Sequence, residues 1–123
     1  VANNTVELFR RDTGTKESIN GDEIATNCST ILHDMQKNLF EKTKTMRETN
    51  TVKVETYDEF KKALEDGKFV LAHRDGTPET EELIKQETKA TIRCIPEDAI
   101  EEDGKCVKTG NKSGKRVLFA IAY

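Results

Sequence analysis

Two segments of this chain are apolar at every position: Phe69-Val70-Leu71-Ala72 and Val117-Leu118-Phe119-Ala120-Ile121-Ala122. Successive side chains of a strand point to opposite faces, so an unbroken apolar run suits only a strand that is covered on both sides. The two runs therefore mark the interior of a sheet, and the second belongs at its centre. Little else in the 123 residues is available for burial: 35% are charged, only 34% are apolar and there is no Trp. The core must be small and confined to a few segments, in one domain or one compact domain plus a piece of another. A multi-domain enzyme is excluded at this length.

Other elements fall around those strands. Thr5-Val6-Glu7-Leu8-Phe9-Arg10 reads as a strand that stops at the turn signal Asp12-Thr13-Gly14, with its pairing partners either elsewhere in the chain or absent from it. From Asp22 to Asn50 there is no Gly or Pro, and Ile24, Cys28, Ile31, Met35, Leu39 and Met46 recur at helical steps. That spacing predicts an amphipathic helix of about 25 residues, ~38 Å long. Beyond it the chain reads strand, helix, strand, helix, strand, strand. Thr56 and Glu59 have the spacing of a capping box before Tyr57, Phe60 and Leu64, and Gly67 ends that helix. Thr77-Pro78 opens the next helix, with Leu83 and Ile84 as its buried face. Thr91 to Ile95 is a strand ended by Pro96. Two right-handed strand-helix-strand connections place both helices on one face. The fold class is thus α/β (α+β): a two-layer β-α-β-α-β-β domain with a mixed sheet over residues 51–123, the long helix over 21–50, and one strand and turn over 1–20.

Charge and cysteine content exclude further classes. Twenty basic against 23 acidic side chains give a net charge of -3, so the chain is no globally basic nucleic-acid binder. No apolar run approaches a membrane span, and nothing at the start resembles a signal sequence. The opening Val1-Ala2 without Met reads as a fragment or processed chain. Cys28, Cys94 and Cys106 form no CxxC, and three thiols suit a reduced, cytosolic compartment. After Pro96 an acidic block (Glu97, Asp98, Glu101, Glu102, Asp103) is followed by a basic one (Lys105, Lys108, Lys112, Lys115, Arg116). The two are placed to neutralise each other.

No phosphate-binding glycine loop, HExxH or nucleophile elbow occurs. A hydrolytic triad would need His33, which reads as a surface or interface residue of the long helix, or His73, which ends an apolar strand before Arg74-Asp75-Gly76. Cys106, in Gly104-Lys105-Cys106-Val107-Lys108-Thr109-Gly110, has the frame of a zinc knuckle in which Thr109 replaces a second ligand. Structural zinc takes four Cys or His ligands. Cys94, Cys106 and His73 supply three candidates, and the plainer reading is two buried or half-buried thiols without metal.

The stretch from Phe69 to Pro96, FVLAHRDGTPETEELIKQETKATIRCIP, and the ending GKCVKTGNKSGKRVLFAIAY together resemble the C-terminal domain of prolyl-tRNA synthetases of the archaeal and eukaryotic type. Upstream, VANNTVELFRRDTGTKESI resembles the last strand of the class II anticodon-binding domain, and MQKNLFEKTKTMRETN the helix that follows it. The resemblance implies ATP-dependent ligation of proline to tRNA(Pro), with ATP and Mg used by a catalytic domain of the same polypeptide that these residues do not include. It also implies a cytoplasmic homodimer. This chain should be inactive alone.

In that family the domain commonly holds zinc through two cysteine pairs. The positions of the first pair fall within Arg74 to Thr80 and hold no Cys, and of the second only Cys106 remains. The resemblance thus implies a zinc-free domain in which Cys106 is a remnant ligand position. It implies too that the terminal Tyr123 reaches the active site, although Ile121 stands where the family ending carries Lys. Arg10 and Arg11, before Asp12, match a tRNA-contacting strand end. A stand-alone RNA-binding or assembly module of translation is the alternative.

Overall fold

A computed structural model describes residues 3–122, which divide into two compact units between Met46 and Arg47.

The first unit begins with an antiparallel hairpin of β1 (Thr5–Arg10) and β2 (Thr15–Asn20), in which Val6 faces Ile19 and Arg10 faces Thr15. The partner of the first strand is therefore the next segment along the chain. TKESIN has one apolar residue and no alternation, so periodicity leaves it unmarked. Gly14, at φ 70°, makes the turn, donating its N–H to Arg10 O at 2.9 Å. Asn20 caps a short 3₁₀ turn, Gly21–Glu23, through the Asp22 N–H, and α1 (Ile24–Asn50) follows. Ile24, Cys28, Ile31 and Met35 form its half-buried stripe, whereas Leu32, Leu39 and Phe40 are exposed, as is His33.

The second unit is a mixed sheet of four strands in the order β3 (Thr51–Lys53), β4 (Phe69–His73), β8 (Arg116–Ile121), β5 (Ala90–Cys94). β3 runs parallel to β4, and β8 is antiparallel to both its neighbours. The wholly apolar last strand is central, as its composition requires. Between the strands lie α2 (Tyr57–Glu65) and α3 (Pro78–Thr88). The capping box of Thr56 with Glu59 is formed, and Thr77 caps α3 with Pro78 in its first turn. Val70, Ala72, Val117 and Phe119 pack with Phe60 and Leu64 of α2 and Ile84 of α3 in one cluster. Both helices thus cover the same face. Phe60, fully buried, meets Phe119 edge-on at 5.1 Å. The inward face of α3 is Thr80 with Ile84; Leu83 is turned outward. Cys94 is exposed, while Cys106 is buried.

On the other face Leu71 pairs with Leu118 and His73 with Arg116. The acidic loop covers part of it, with Pro96, Ala99 and Ile100 lining a cleft beside Leu71 and Arg116. The charge blocks do meet: Lys115 reaches Glu101 at 3.3 Å and Lys112 reaches Asp103 at 3.6 Å. Within this region a small hairpin forms from β6 (Gly104–Lys105) and β7 (Lys112–Ser113). Two-residue strands are too short for any periodicity to reveal.

Candidate functional site

The β6–β7 hairpin carries the knuckle residues, and three polar clusters fix it. Asp75, just past the end of β4, is the first centre. Its Oδ1 accepts from the Thr77 N–H at 3.1 Å and the Thr77 hydroxyl at 2.9 Å. Its Oδ2 accepts from the hydroxyls of Thr80 at 2.9 Å and Thr109 at 2.8 Å, and from Asn111 Nδ2 at 3.4 Å. Burial would raise this carboxyl's pKa; the hydrogen bonds from Thr109, Thr77 and Thr80 outweigh it and hold the group well below the usual carboxylate range. Thr109 and Asp75, which lie where the resemblance implies absent zinc ligands, are therefore bonded to each other. Within the hairpin, Cys106 and Asn111 are joined by the N–H of the former and the carbonyl of the latter at 2.8 Å, and the Gly110 N–H donates to Cys106 O at 2.8 Å.

The second centre is His73. Only 1% of it is exposed, and its Nδ1 lies 3.1 Å from Ser113 Oγ, with Nε2 3.7 Å from Glu102 Oε1. Ser, His and Glu in this order have the form of a nucleophile, base and orienting acid. The geometry does not support that use. Ser113 is itself buried, and its hydroxyl donates to Lys115 O at 3.1 Å, so its proton is committed and it accepts from His73. The arrangement is a brace between β4 and the hairpin, completed by the Val107 N–H donating to His73 O at 3.1 Å. Arg116 continues it: Nε donates to Glu102 at 2.5 Å, one terminal nitrogen to Val54 O at 2.8 Å, and the other to Glu55. The Arg116 guanidinium holds the Glu102 carboxyl below its usual value. Arg74 donates to Glu81 at 3.2 Å.

The third cluster joins α2, α3 and the hairpin. Glu87 accepts from the Tyr57 hydroxyl at 2.8 Å and from Lys108 at 2.6 Å, and the Lys108 ammonium also stands 4.4 Å from the centre of the Tyr57 ring. Burial, reinforced by Glu87, pushes the Tyr57 hydroxyl's pKa up.

In the first unit Arg10 is held by its neighbour. Its Nε and a terminal nitrogen bind the two oxygens of Asp12 at 3.1 and 2.7 Å, and Asn38 of α1 donates to the same carboxylate at 3.0 Å. Arg10 principally, with Asn38, holds the Asp12 carboxyl well below its usual range. Arg11 is exposed and has no ion pair among the described residues. Tyr123 lies outside the described residues. Among those described, no three His, Cys, Asp or Glu side chains gather as a metal-binding group, and Cys106, Cys94 and His73 are not brought together as ligands.

Sequence reading singled out Cys106, His73 and the two arginines, and missed Asp75 and the buried role of Arg116. The pattern Asp-x-Thr-Pro was the one local signal for Asp75, since a carboxylate two residues before a helix-capping Thr commonly accepts its N–H.

A family model described as "Prolyl-tRNA synthetase, C-terminal" matches residues 57–123, more than half of the chain. A protein named "Proline--tRNA ligase" from Porphyromonas gingivalis (strain ATCC 33277) is 55% identical over 121 residues, covering 98% of this chain and 24% of the relative. Its namesake in Parabacteroides distasonis shows the same identity and coverage over 121 residues. That of Bacteroides fragilis (strain YCH46) is 50% identical over 125 residues, covering 98% of this chain and 25% of its own. The chain thus spans about a quarter of the length of the curated relatives it matches.

Proposed function

Because the chain belongs to the family of prolyl-tRNA synthetase C-terminal domains, we propose that it serves as the C-terminal portion of an enzyme that ligates proline to its tRNA with ATP. The observation that carries this reading is the 55% identity extending over 98% of the chain to a proline–tRNA ligase, of which it covers 24%. ATP, Mg and proline would be handled by the remaining residues of such an enzyme, and the full enzyme would be a homodimer that binds tRNA(Pro). Residues 1–20 would belong to the anticodon-binding domain, 21–50 to the helix that follows it, and 51–123 to the C-terminal domain proper.

In this account the second unit supports the enzyme by holding its last strand. β8 is central, paired with β4 through Val70–Phe119 and with β5 through Ala90–Ile121, so the chain leaves the sheet from a fixed point two residues before Tyr123. Tyr123 would then bring a ring and a carboxylate to the catalytic domain. Arg11, with its guanidinium exposed, is the better placed of the two arginines for a tRNA phosphate, with Arg10 shaping the turn that presents it. The reading is tested by deleting Tyr123 from the longer protein. Aminoacylation should fall while the fold of this region, followed by circular dichroism, is kept; intact activity with an unfolded domain would make the residue a packing element instead.

A further inference from the structure

The residues at the family's metal position do not fit zinc. A zinc ion gathers lone pairs from four ligands; here the side chains converging on the same place present protons. Two N–H groups and three hydroxyls, from Thr77, Thr80, Thr109 and Asn111, point at the Asp75 carboxylate within 3.4 Å. The polarity of the centre is inverted, with an anion inside and donors around it. A cation entering there would have to displace those donors from the carboxylate.

We infer that Asp75 is a built-in clamp that does the work of a structural metal, tying the β6–β7 hairpin to the start of α3 through one carboxylate. Oδ1 binds only Thr77, the cap of α3, whereas Oδ2 is shared by Thr80 in the first turn of α3 and by Thr109 and Asn111 of the hairpin, 34 and 36 residues away in sequence. The two segments therefore meet at one oxygen atom. A carboxylate that accepts several short hydrogen bonds is among the stronger polar anchors available to a protein, because each bond is charge-assisted. Asp75 is a positioning residue on this account. Its role does not depend on whether the chain serves proline ligation.

The substitution Asp75→Asn separates this role from general stability. The neutral amide removes the charge that strengthens every one of these bonds, so the hold on Thr109 and Asn111 weakens whichever way the amide turns, and the set that faces its NH2 loses its acceptor as well. Amide hydrogen exchange of the 123-residue chain, read by NMR, should accelerate about ten-fold at Cys106, Val107 and Gly110, whose N–H groups are bonded within or beside the hairpin, and stay unchanged at Phe60 in α2. Thr109→Val, which removes one donor to Asp75 and the acceptor of the Asn111 N–H at 3.3 Å, should give a smaller acceleration at the same three amides, and it serves as the reading if Asp75→Asn does not fold. Unchanged exchange at those amides, or equal acceleration at Phe60, would overturn the clamp. In the same experiment one equivalent of Zn2+ should leave wild-type exchange unaltered; slowed exchange at Cys106, Val107 and Gly110 with one zinc bound per chain would show a metal clamp instead.

Discussion

Gly104 passes so close to the His73 ring that a Cβ placed on it would stand 2.2 Å from Nε2. His73 cannot swing away, because the ring is buried and its other nitrogen is held by Ser113. The β6–β7 hairpin thus needs a residue without a side chain at this point, on grounds of contact. Gly104→Ala is expected to lower unfolding stability by about 1–3 kcal/mol, measured by urea denaturation. In a His73→Ala background the same methyl should cost much less. Equal costs in the two backgrounds would contradict the contact as the cause.

Arg116 should matter through its acceptors. Arg116→Met leaves Val54 O, Glu55 and Glu102 without their donor, and a loss of about 2 kcal/mol is expected, below the range for a fully buried pair because both carboxylates are partly open to water. The change should also alter acid sensitivity. Glu102 titrates below its unfolded value of about 4.3 when folded, so it adds stability above that value and loses it as pH falls through the folded pKa. The wild-type urea midpoint should drop as pH falls below about 4.3, with a component that is absent in Arg116→Met. Identical acid limbs would refute that assignment.

The two arginines of the first strand should separate. Arg11→Ala in the longer protein is expected to weaken tRNA binding and to lower the salt slope by about one unit. Arg10→Ala should instead loosen the turn it shares with Asp12 and Asn38, seen as an upward shift of the Asp12 carboxyl titration toward ordinary values. If Arg11→Ala binds tRNA as the wild type does at every salt concentration, the phosphate contact is elsewhere. The 123-residue chain alone, with a net charge of -3, should bind tRNA weakly.

Much of the second unit is legible before any coordinates, because its signals are local. Thr56 with Glu59, Thr77 with Pro78, and the unbroken run ending in Ala122 each state their own structure through capping, fixed φ or two-sided burial. What stays hidden depends on neighbours distant in sequence. β2 has Ile19 as its one apolar residue, too few for an alternation, so only its turn and its register against β1 identify it. Arg116 reads as the last of a basic block, and its burial follows from Glu55, Glu102 and Val54 O, up to 62 residues away. Asp75 has three local donors, from Thr77 and Thr80, while the bonds that tie it to the hairpin come from Thr109 and Asn111. Leu83 reads as core with Ile84 by its hydrophobicity, yet Thr80 takes the inward place because the Asp75 carboxylate gives its hydroxyl an acceptor.

Proline-dependent exchange of pyrophosphate into ATP, measured side by side on the longer polypeptide and on the 123-residue chain, tests the assignment most directly. The longer polypeptide should turn over with proline and charge tRNA(Pro), and the chain alone should remain at background. Turnover by the chain alone, or a longer polypeptide that neither activates proline nor charges its tRNA, would contradict it.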